Sequence, residues 1–514
     1  MAPAQPAPPR RRPEWQPTLT LPKDLWQDVT AATIGVVAEW TNKVELADID
    51  QDGLVDVLFA NGGDYDKAGT LVPSRVFRNG GVGKAWPEIT TQVFGAQLAV
   101  ARVIKVRDVD GDQIPDVFLG TTFQTQSRLY RGQGGGKFVD VTATHLPAMP
   151  LSIGDAEFGD VDGDGDLDLV LAAWGEGSPM KNDGAKPRLW RNDGGHFKDA
   201  TAGIPDWQVR FCWELELLDV DGDRDLDLLV SSKRSPGSFL AHNDGTGKFT
   251  DASAAKLPQF TNNYEFEAMD VDGDGVLDVV TINDGQGEQR FAEHLFLGDG
   301  KGGFVDATAT HWPLADNPRC DDNMIAFLDY DSDGDADFLI GSLDGHDRLL
   351  VNDGRGHFQA GAPVFAGDPT RGTLGIALAD LDGDKRLDVV HAQGEVKTAL
   401  EDKVFFGKSI APDTAAPRIG AVHVEVSAAA GANVTVVVRV HDGKSPCMPH
   451  DWQRVVVHCT QNGVTNTVNM AWYGEYLWRA QAVAARAAAM TLVVEAVDAA
   501  GNAAKSAPQI FTIS

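Results

Sequence analysis

Cysteine is scarce in this chain. Four in 514 residues cannot make a disulfide framework. Cys447 and Cys459 are near enough in sequence to pair, whereas Cys212 and Cys320 lie far apart and read as buried thiols. No run of 18 apolar residues occurs, which excludes a membrane-spanning helix. The first 19 residues are Pro-rich, carry Arg10-Arg11-Arg12 and lack the apolar stretch of a secretion signal, so they read as a disordered lead-in. Basic residues are in deficit: 44 Lys and Arg against 75 Asp and Glu leave a formal charge of −31. That balance argues against nucleic acid or an anionic membrane as partner and points to cations. Gly-x-Ser-x-Gly, His-Glu-x-x-His, P-loop and dinucleotide fingerprints are all missing.

The acids that are present are ordered. Asp-x-Asp-x-Asp-x-x-x-Asp occurs seven times, starting at Asp48, Asp108, Asp160, Asp219, Asp270, Asp329 and Asp380. An apolar run that reads as a strand follows each copy. Upstream sits an aromatic-x-Asp-x-Thr element, as in Phe138-Val139-Asp140-Val141-Thr142, usually preceded by a Gly/Asn turn such as Asn192-Asp193-Gly194. One repeat is therefore four short strands in about 50–60 residues, the size of a propeller blade. After the seventh loop the aromatic element is missing, and its copy stands at the other end as Trp26-Gln27-Asp28-Val29-Thr30. The N-terminal strand is therefore expected to complete the last blade and close the ring. The expected fold is all-β: a seven-bladed β-propeller over residues 20–408, a linker at 409–418 and a small β-sandwich at 419–514. For the sandwich, strand patterns fall at 421–426, 434–440, 454–458, 465–470, 477–484 and 490–496.

Asp-x-Asp-x-Asp-Gly-x-x-Asp loops alternating with aromatic-x-Asp-x-Thr strands resemble the VCBS/FG-GAP repeats. Such repeats build the integrin α-subunit propeller and many bacterial surface proteins. The Asp-x-x-Gly-Asn turn at Asp498–Asn502 resembles bacterial Ig-like or fibronectin-like modules, which implies a spacer or attachment role for the last hundred residues.

Ca²⁺ takes six to eight oxygens from a short flexible loop. Alternate Asp residues at positions 1, 3 and 5 turn three carboxylates inward, and position 9 can close the shell. The expected ligands are Asp48, Asp50, Asp52 and Asp56; Asp108, Asp110, Asp112 and Asp116; Asp160, Asp162, Asp164 and Asp168; Asp219, Asp221, Asp223 and Asp227; Asp270, Asp272, Asp274 and Asp278; Asp329, Asp331, Asp333 and Asp337; and Asp380, Asp382, Asp384 and Asp388. An EF-hand is excluded because position 12 holds Phe59, Leu119, Leu171, Val230, Thr281, Ile340 or His391 in place of Glu. Four carboxylates per loop without a cation would repel one another, so up to seven Ca²⁺ are expected, in a mainly structural role. Removing these 28 carboxylates from the formal −31 leaves −3. The acidity describes the loops more than the partner.

The innermost strand precedes each loop. Three residues upstream it carries Glu45, Lys105, Glu157, Glu216 and Glu267, then Ala326 and Ala377; five upstream, Asp155, Glu214 and Glu265. An acidic channel follows, able to take a cation, an amine or sugar hydroxyls. The long connections, such as 61–74 and 173–186, fall on the face away from the Asp loops. Trp40, Tyr65, Trp174, Trp207, Trp213, Tyr264, His311 and Trp312 lie near that face as candidate sugar platforms, and Lys233, Arg234, Arg290 and Arg319 as partners for acidic sugars. The expected function is a secreted, cell-surface or periplasmic calcium-stabilised binding protein, lectin-like or adhesive and not an enzyme, with a glycan or cell-surface protein as partner. The rivals are a polysaccharide lyase, hydrolase or dehydratase using the channel carboxylates with His311 or His391, and an integrin-type adhesion module.

Overall fold

A computed structural model describes residues 17–512 apart from 23, 64–66, 178–180, 235, 284–291, 344–345, 362–363, 366–371, 395–398, 427–432 and 484–488. Tyr65 and Arg290 lie outside the described residues. Among the described residues from Trp26 to Gly407 the chain makes a two-stranded pairing of Ala38–Glu39 with Leu400–Glu401 and seven antiparallel sheets of three or four strands, called blades 1 to 7 below. Their innermost strands are Thr41–Ala47, Ala101–Arg107, Ile153–Gly159, Leu215–Leu218, Asn263–Met269, Asp322–Leu328 and Thr373–Ala379. Each crosses an Asp loop into the second strand: Asp56–Asn61, Asp116–Thr121, Asp168–Ala173, Asp227–Val230, Asp278–Asn283, Asp337–Ser342 and Asp388–Gln393. The innermost strands touch one another in chain order, and the seventh touches the first. That closed ring of antiparallel sheets is a β-propeller, and the chain is all-β as expected.

The second strands are apolar on both sides because blades pack on both faces of each. Val57, Leu58, Phe59 and Ala60 are all buried, as are Leu228, Leu229 and Val230. Closure occurs where the repeats placed it. Trp26–Asp28 is the outer strand of blade 7, paired with Lys403–Gly407 in the register Trp26 to Gly407. Trp26 is wholly buried against Phe365, and its indole N–H donates to the Leu387 carbonyl at 2.8 Å. The aromatic-x-Asp-x-Thr element has a physical reason. Its Asp carboxylate takes the Thr N–H (Asp140 to Thr142, 3.0 Å), while the Thr hydroxyl accepts a third-strand N–H (Leu129, 3.0 Å) in place of a ladder carbonyl. The strand ends there and a short helical turn begins, as at Thr142–His145. Thr30 does the same for Val404 across the closure, at 3.0 Å.

The described residues of the last hundred form two five-stranded sheets. One contains Asn433–His441 and Leu477–Val483, the other Trp452–Gln461 and Ala489–Asp498. Val434, Val436, Val438 and Val440 face Val455, Val457, Leu492 and Val494 in a common core. The pair is a β-sandwich, and it does not stand off as a spacer. It sits on the Asp-loop face: the Tyr473 carbonyl accepts the Asp160 N–H at 2.9 Å, the Tyr473 hydroxyl donates to the Arg224 carbonyl at 2.8 Å, and the Tyr476 hydroxyl to the Ala268 carbonyl at 2.7 Å. The alternate side chains Val437 and Arg439 are buried against the propeller. Cys447 and Cys459 are not bridged; Cys447 Sγ instead accepts the Trp452 indole N–H at 3.3 Å.

If Trp26 closes the ring, Trp26→Ala should lower the unfolding free energy by about 3–5 kcal/mol, read by urea titration. A loss under about 1 kcal/mol would show that blade 7 closes without it.

Candidate functional site

All seven Asp loops share one backbone. Positions 4 and 6 are left-handed in every copy, including the non-glycines Gln51, Gln113, Arg224, Ser332 and Lys385. Those turns direct backbone N–H groups at the carboxylates. In loop 1, Asp48 takes the N–H of Asp52 at 3.0 Å and of Gly53 at 2.8 Å, and Asp52 takes that of Leu54 at 3.0 Å. Position 9 does a different job. Asp56 accepts from Ile49 at 3.2 Å and from Asn79 at 2.7 Å, and so joins the loop to the residue after the third strand. The same pair of bonds recurs at Asp116, Asp168, Asp227, Asp278, Asp337 and Asp388. Burial pushes these carboxyls up, to about 7 for Asp56, Asp116 and Asp168 and about 8 for Asp227, Asp278 and Asp388.

The donor set fits a hard cation. Ligand oxygens of positions 1, 3 and 9 lie within 4.8 Å of one another in loops 1, 2 and 3, as do those of Asp219, Asp221 and Asp223 in loop 4. Carboxylate oxygens so gathered, with spare lone pairs, suit Ca²⁺. An Arg or His at the third strand approaches position 3 in four blades: Arg78 on Asp50 (3.6 Å), Arg131 on Asp110 (2.5 Å), Arg191 on Asp162 (2.9 Å) and His242 near Asp221 (3.7 Å).

Sequence reading missed a second set of ties. Asn192, in the hairpin turn named above, and its counterparts Asn79, Asn243 and Asn352 each donate a side-chain N–H to the position-2 carbonyl of the preceding blade's loop: Val109 for Asn192, and Leu381, Val161 and Val271 for the others, at 2.7–2.8 Å. The recurrence of Asn just after the third strand was the available signal.

The channel is acidic, as expected, but much of that acid is occupied. Glu45 accepts the Val106 N–H at 3.2 Å and pairs with Arg107 at 2.6 Å. Lys105 pairs with Glu157. Glu214 and Glu265 accept the Phe266 and Ile325 N–H groups of the next blade, both at 3.1 Å. Asp155 is buried with neither oxygen hydrogen-bonded to protein. Lys43, absent from the sequence candidates, stands among these acids. Burial opposes its charge, yet Asp155, Glu214 and Glu265 raise its pKa. Burial and then Glu265 hold Glu214 well above the usual carboxylate range; burial and then Glu267 do the same to Glu216; burial and then Glu265 to Glu267. Glu265 itself is pushed up to about 8, by burial first. The sandwich closes one end of this channel with Lys444, Pro446, Met448, His450 and Glu475, leaving a cavity of about 70 Å³. Ligand clefts run to about 300–1,000 Å³, so this space holds a few waters and no sugar ring.

Two ligand candidates need correction. Trp174 and Trp213 are 1% and 2% exposed, so neither is a sugar platform. They pack edge to face at 5.3 Å, and Trp213 stacks on the buried Tyr264 at 5.7 Å. Trp207 and Trp312 are buried as well. Arg102 and Lys233 lie over the Trp213 ring at 4.4 and 5.4 Å, and Arg234 over Phe211 at 4.8 Å. Among the rival catalytic residues, His391 is buried between Phe365 and Phe405, where burial drops its pKa to about 3, and His311 stacks on His357.

Residues 108–171, 219–281, 270–340 and 329–391 match the FG-GAP-like repeat. No curated protein matches the chain. Among solved structures, the chain is similar to BBS1N in complex with ARL6DN, at 9% identity over 75% of this chain and 98% of that one, with a TM-score of 0.44. It is also similar to a Trypanosoma rangeli sialidase (10% identity, 92% and 84% covered, TM-score 0.37). A third is a Schwanniomyces occidentalis fructofuranosidase (8% identity, 95% and 93% covered, TM-score 0.30). These matches correct the expectation of a non-enzyme, since two of the three are enzymes. At such identities the likeness concerns the fold alone and assigns this chain no reaction.

The channel acids make a pH prediction. Folded Glu265 keeps a proton up to about pH 8 that the unfolded chain releases near 4.5, so the folded state binds more protons in between. Its contribution is present below pH 4.5 and is lost as pH rises to 8. Glu265→Gln, which keeps an acceptor for Ile325, should flatten the fall in stability of chelator-treated protein across that window; an unchanged slope would mean Glu265 is ionised throughout.

Proposed function

We propose that this chain is a calcium-stabilised binding protein that works outside the cell or in the periplasm. Ca²⁺ at the Asp loops holds the ring, and the face away from those loops recognises a glycan. One observation carries this reading: the sandwich covers the loop face and closes that end of the channel, which leaves the opposite rim as the propeller's open surface. There the half-buried Lys233 and the exposed Arg210 and Arg234 surround an aromatic floor of Phe211, Trp213 and Tyr264. Cationic heads over a packed floor favour ligands that carry carboxylates or sulfates, so acidic glycans are the preferred class. The cavity of about 70 Å³ at the capped end of the channel has no room for a sugar ring, which favours the rim as the place of contact.

Two experiments test this. Chelator should lower the melting temperature by many degrees and added Ca²⁺ restore it, because each site at 100 times its Kd adds about 2.7 kcal/mol; a melting curve indifferent to chelator would overturn the calcium reading. An array of neutral and acidic glycans, probed with Ca²⁺ present, should show acidic binders that Lys233→Ala with Arg234→Ala loses. A blank array would overturn the glycan reading. Product release from the same oligosaccharides, abolished by Glu265→Gln, would identify turnover.

A further inference from the structure

Loop 4 departs from the other six at one atom. In loops 1, 2, 3, 5, 6 and 7 the position-6 backbone N–H donates to the second oxygen of the position-1 carboxylate, at 2.8–3.1 Å. In loop 4 that oxygen, Asp219 Oδ2, takes two guanidinium groups: Arg224 Nη1 at 2.6 Å and Arg439 Nη2 at 3.0 Å. The Asp219 side chain has no exposure, and the arginines are 14% and 8% exposed. Loss of glycine at position 6 is not the cause, because Gln113 and Lys385 occupy position 6 and keep the backbone bond. Arg439 comes from the sandwich. It also donates to the Asp219 carbonyl at 2.9 Å and to the Gly275 carbonyl in loop 5 at 3.1 Å, and so spans two loops. Arg224 is fixed from the same side by the Tyr473 hydroxyl on its carbonyl.

We infer that loop 4 is a cation seat neutralised by the protein: Arg224 and Arg439 hold the position-1 carboxylate that the other loops offer to Ca²⁺, and the pair latches the sandwich to the ring. This rests on the calcium reading of the other six loops. The oxygens of Asp219, Asp221 and Asp223 do gather within 4.8 Å, as do ligand atoms of Asp221, Asp227 and His242, so a shortage of ligands is not what sets loop 4 apart. The charge is. Two guanidinium groups already neutralise the buried carboxylate, and a divalent ion entering there would face both with little water to screen them. Planar guanidinium donors also satisfy carboxylate and carbonyl oxygens together, which suits Arg439 to holding two loops at once. Loop 3 stays with the six. Arg479 reaches Asp160, but the Gly165 N–H keeps its bond at 3.0 Å.

The test counts bound Ca²⁺ on the full chain by native mass spectrometry, after chelator stripping and refilling. Six ions are expected; seven in the wild type would overturn the inference. Asp108→Ala should lower the count to five. Asp219→Ala should leave it at six while cleavage of the 409–418 linker by protease rises at least tenfold; loss of an ion would overturn the inference. Should Asp219→Ala not fold, Arg224→Gly with Arg439→Met should raise the count to seven and expose the linker. An unchanged count of six with wild-type protection would overturn it equally. A wild-type count of zero with an unmoved melting temperature would instead overturn the calcium reading, and the protease result for Arg439→Met would still decide the latch.

Discussion

Carboxylate repulsion is the constraint on which this structure depends. Seven loops crowd four aspartates each into nine residues, and the inner strands add more acid around a narrow channel. Charge of one sign at that density would force the ring apart unless cancelled locally. Backbone N–H groups do the first part, which is why positions 4 and 6 take the left-handed conformation even where the residue is Gln, Ser, Arg or Lys. Cations from the third strands do the second, and sandwich arginines the third. The position-9 aspartate belongs to a separate class. Its two accepted N–H bonds hold loop and third strand together whether or not an ion is near.

The channel meets the same problem with a different solution. Glu45, Glu214 and Glu265 each accept an N–H from the inner strand of the following blade. The acid in the bore is therefore part of how neighbouring blades register, and only the remainder is open to ligand chemistry. Together with the Asn79, Asn192, Asn243 and Asn352 ties near the loops, the ring is stapled from blade to blade at two depths. Blades in a propeller pack mainly through apolar side chains, which are indifferent to small slips; directional bonds of this kind fix the register.

The propeller was legible because its signals are local and repeated. Asp at fixed offsets, a strand after each loop and the displaced Trp26-to-Thr30 copy define blades and closure without knowledge of distant contacts. The channel acids were legible from the two-residue strand period. The orientation of Trp213 and Tyr264 was not. A register shift between Asn263 and Glu265 breaks the alternation at Tyr264, and an aromatic residue type does not say whether it meets water or another ring. The docking of the sandwich was illegible for another reason. Arg439 and Asp219 are 220 residues apart, and Arg439 sits in a valine-rich strand whose pattern describes the sandwich core alone. Valine at both Val436 and Val437 was the one hint that this strand is buried on two sides.

Placing the second domain on the acid loops changes what the fold can offer to a partner. A propeller alone presents two faces and a bore. Here one face is taken by the sandwich, and the bore ends in Lys444, His450 and Glu475, which belong to the capping domain. Much of the charge that dominates the composition, positions 1 and 9 above all, is thereby set against arginine and backbone, while position 5 stays exposed in every loop. One patch of the far rim is of opposite sign, with Arg210, Lys233 and Arg234 beside buried rings. A chain with a formal charge of −31 thus carries a local cationic patch on the face away from its Asp loops, and net charge is a poor guide to a partner once the acids have a structural use.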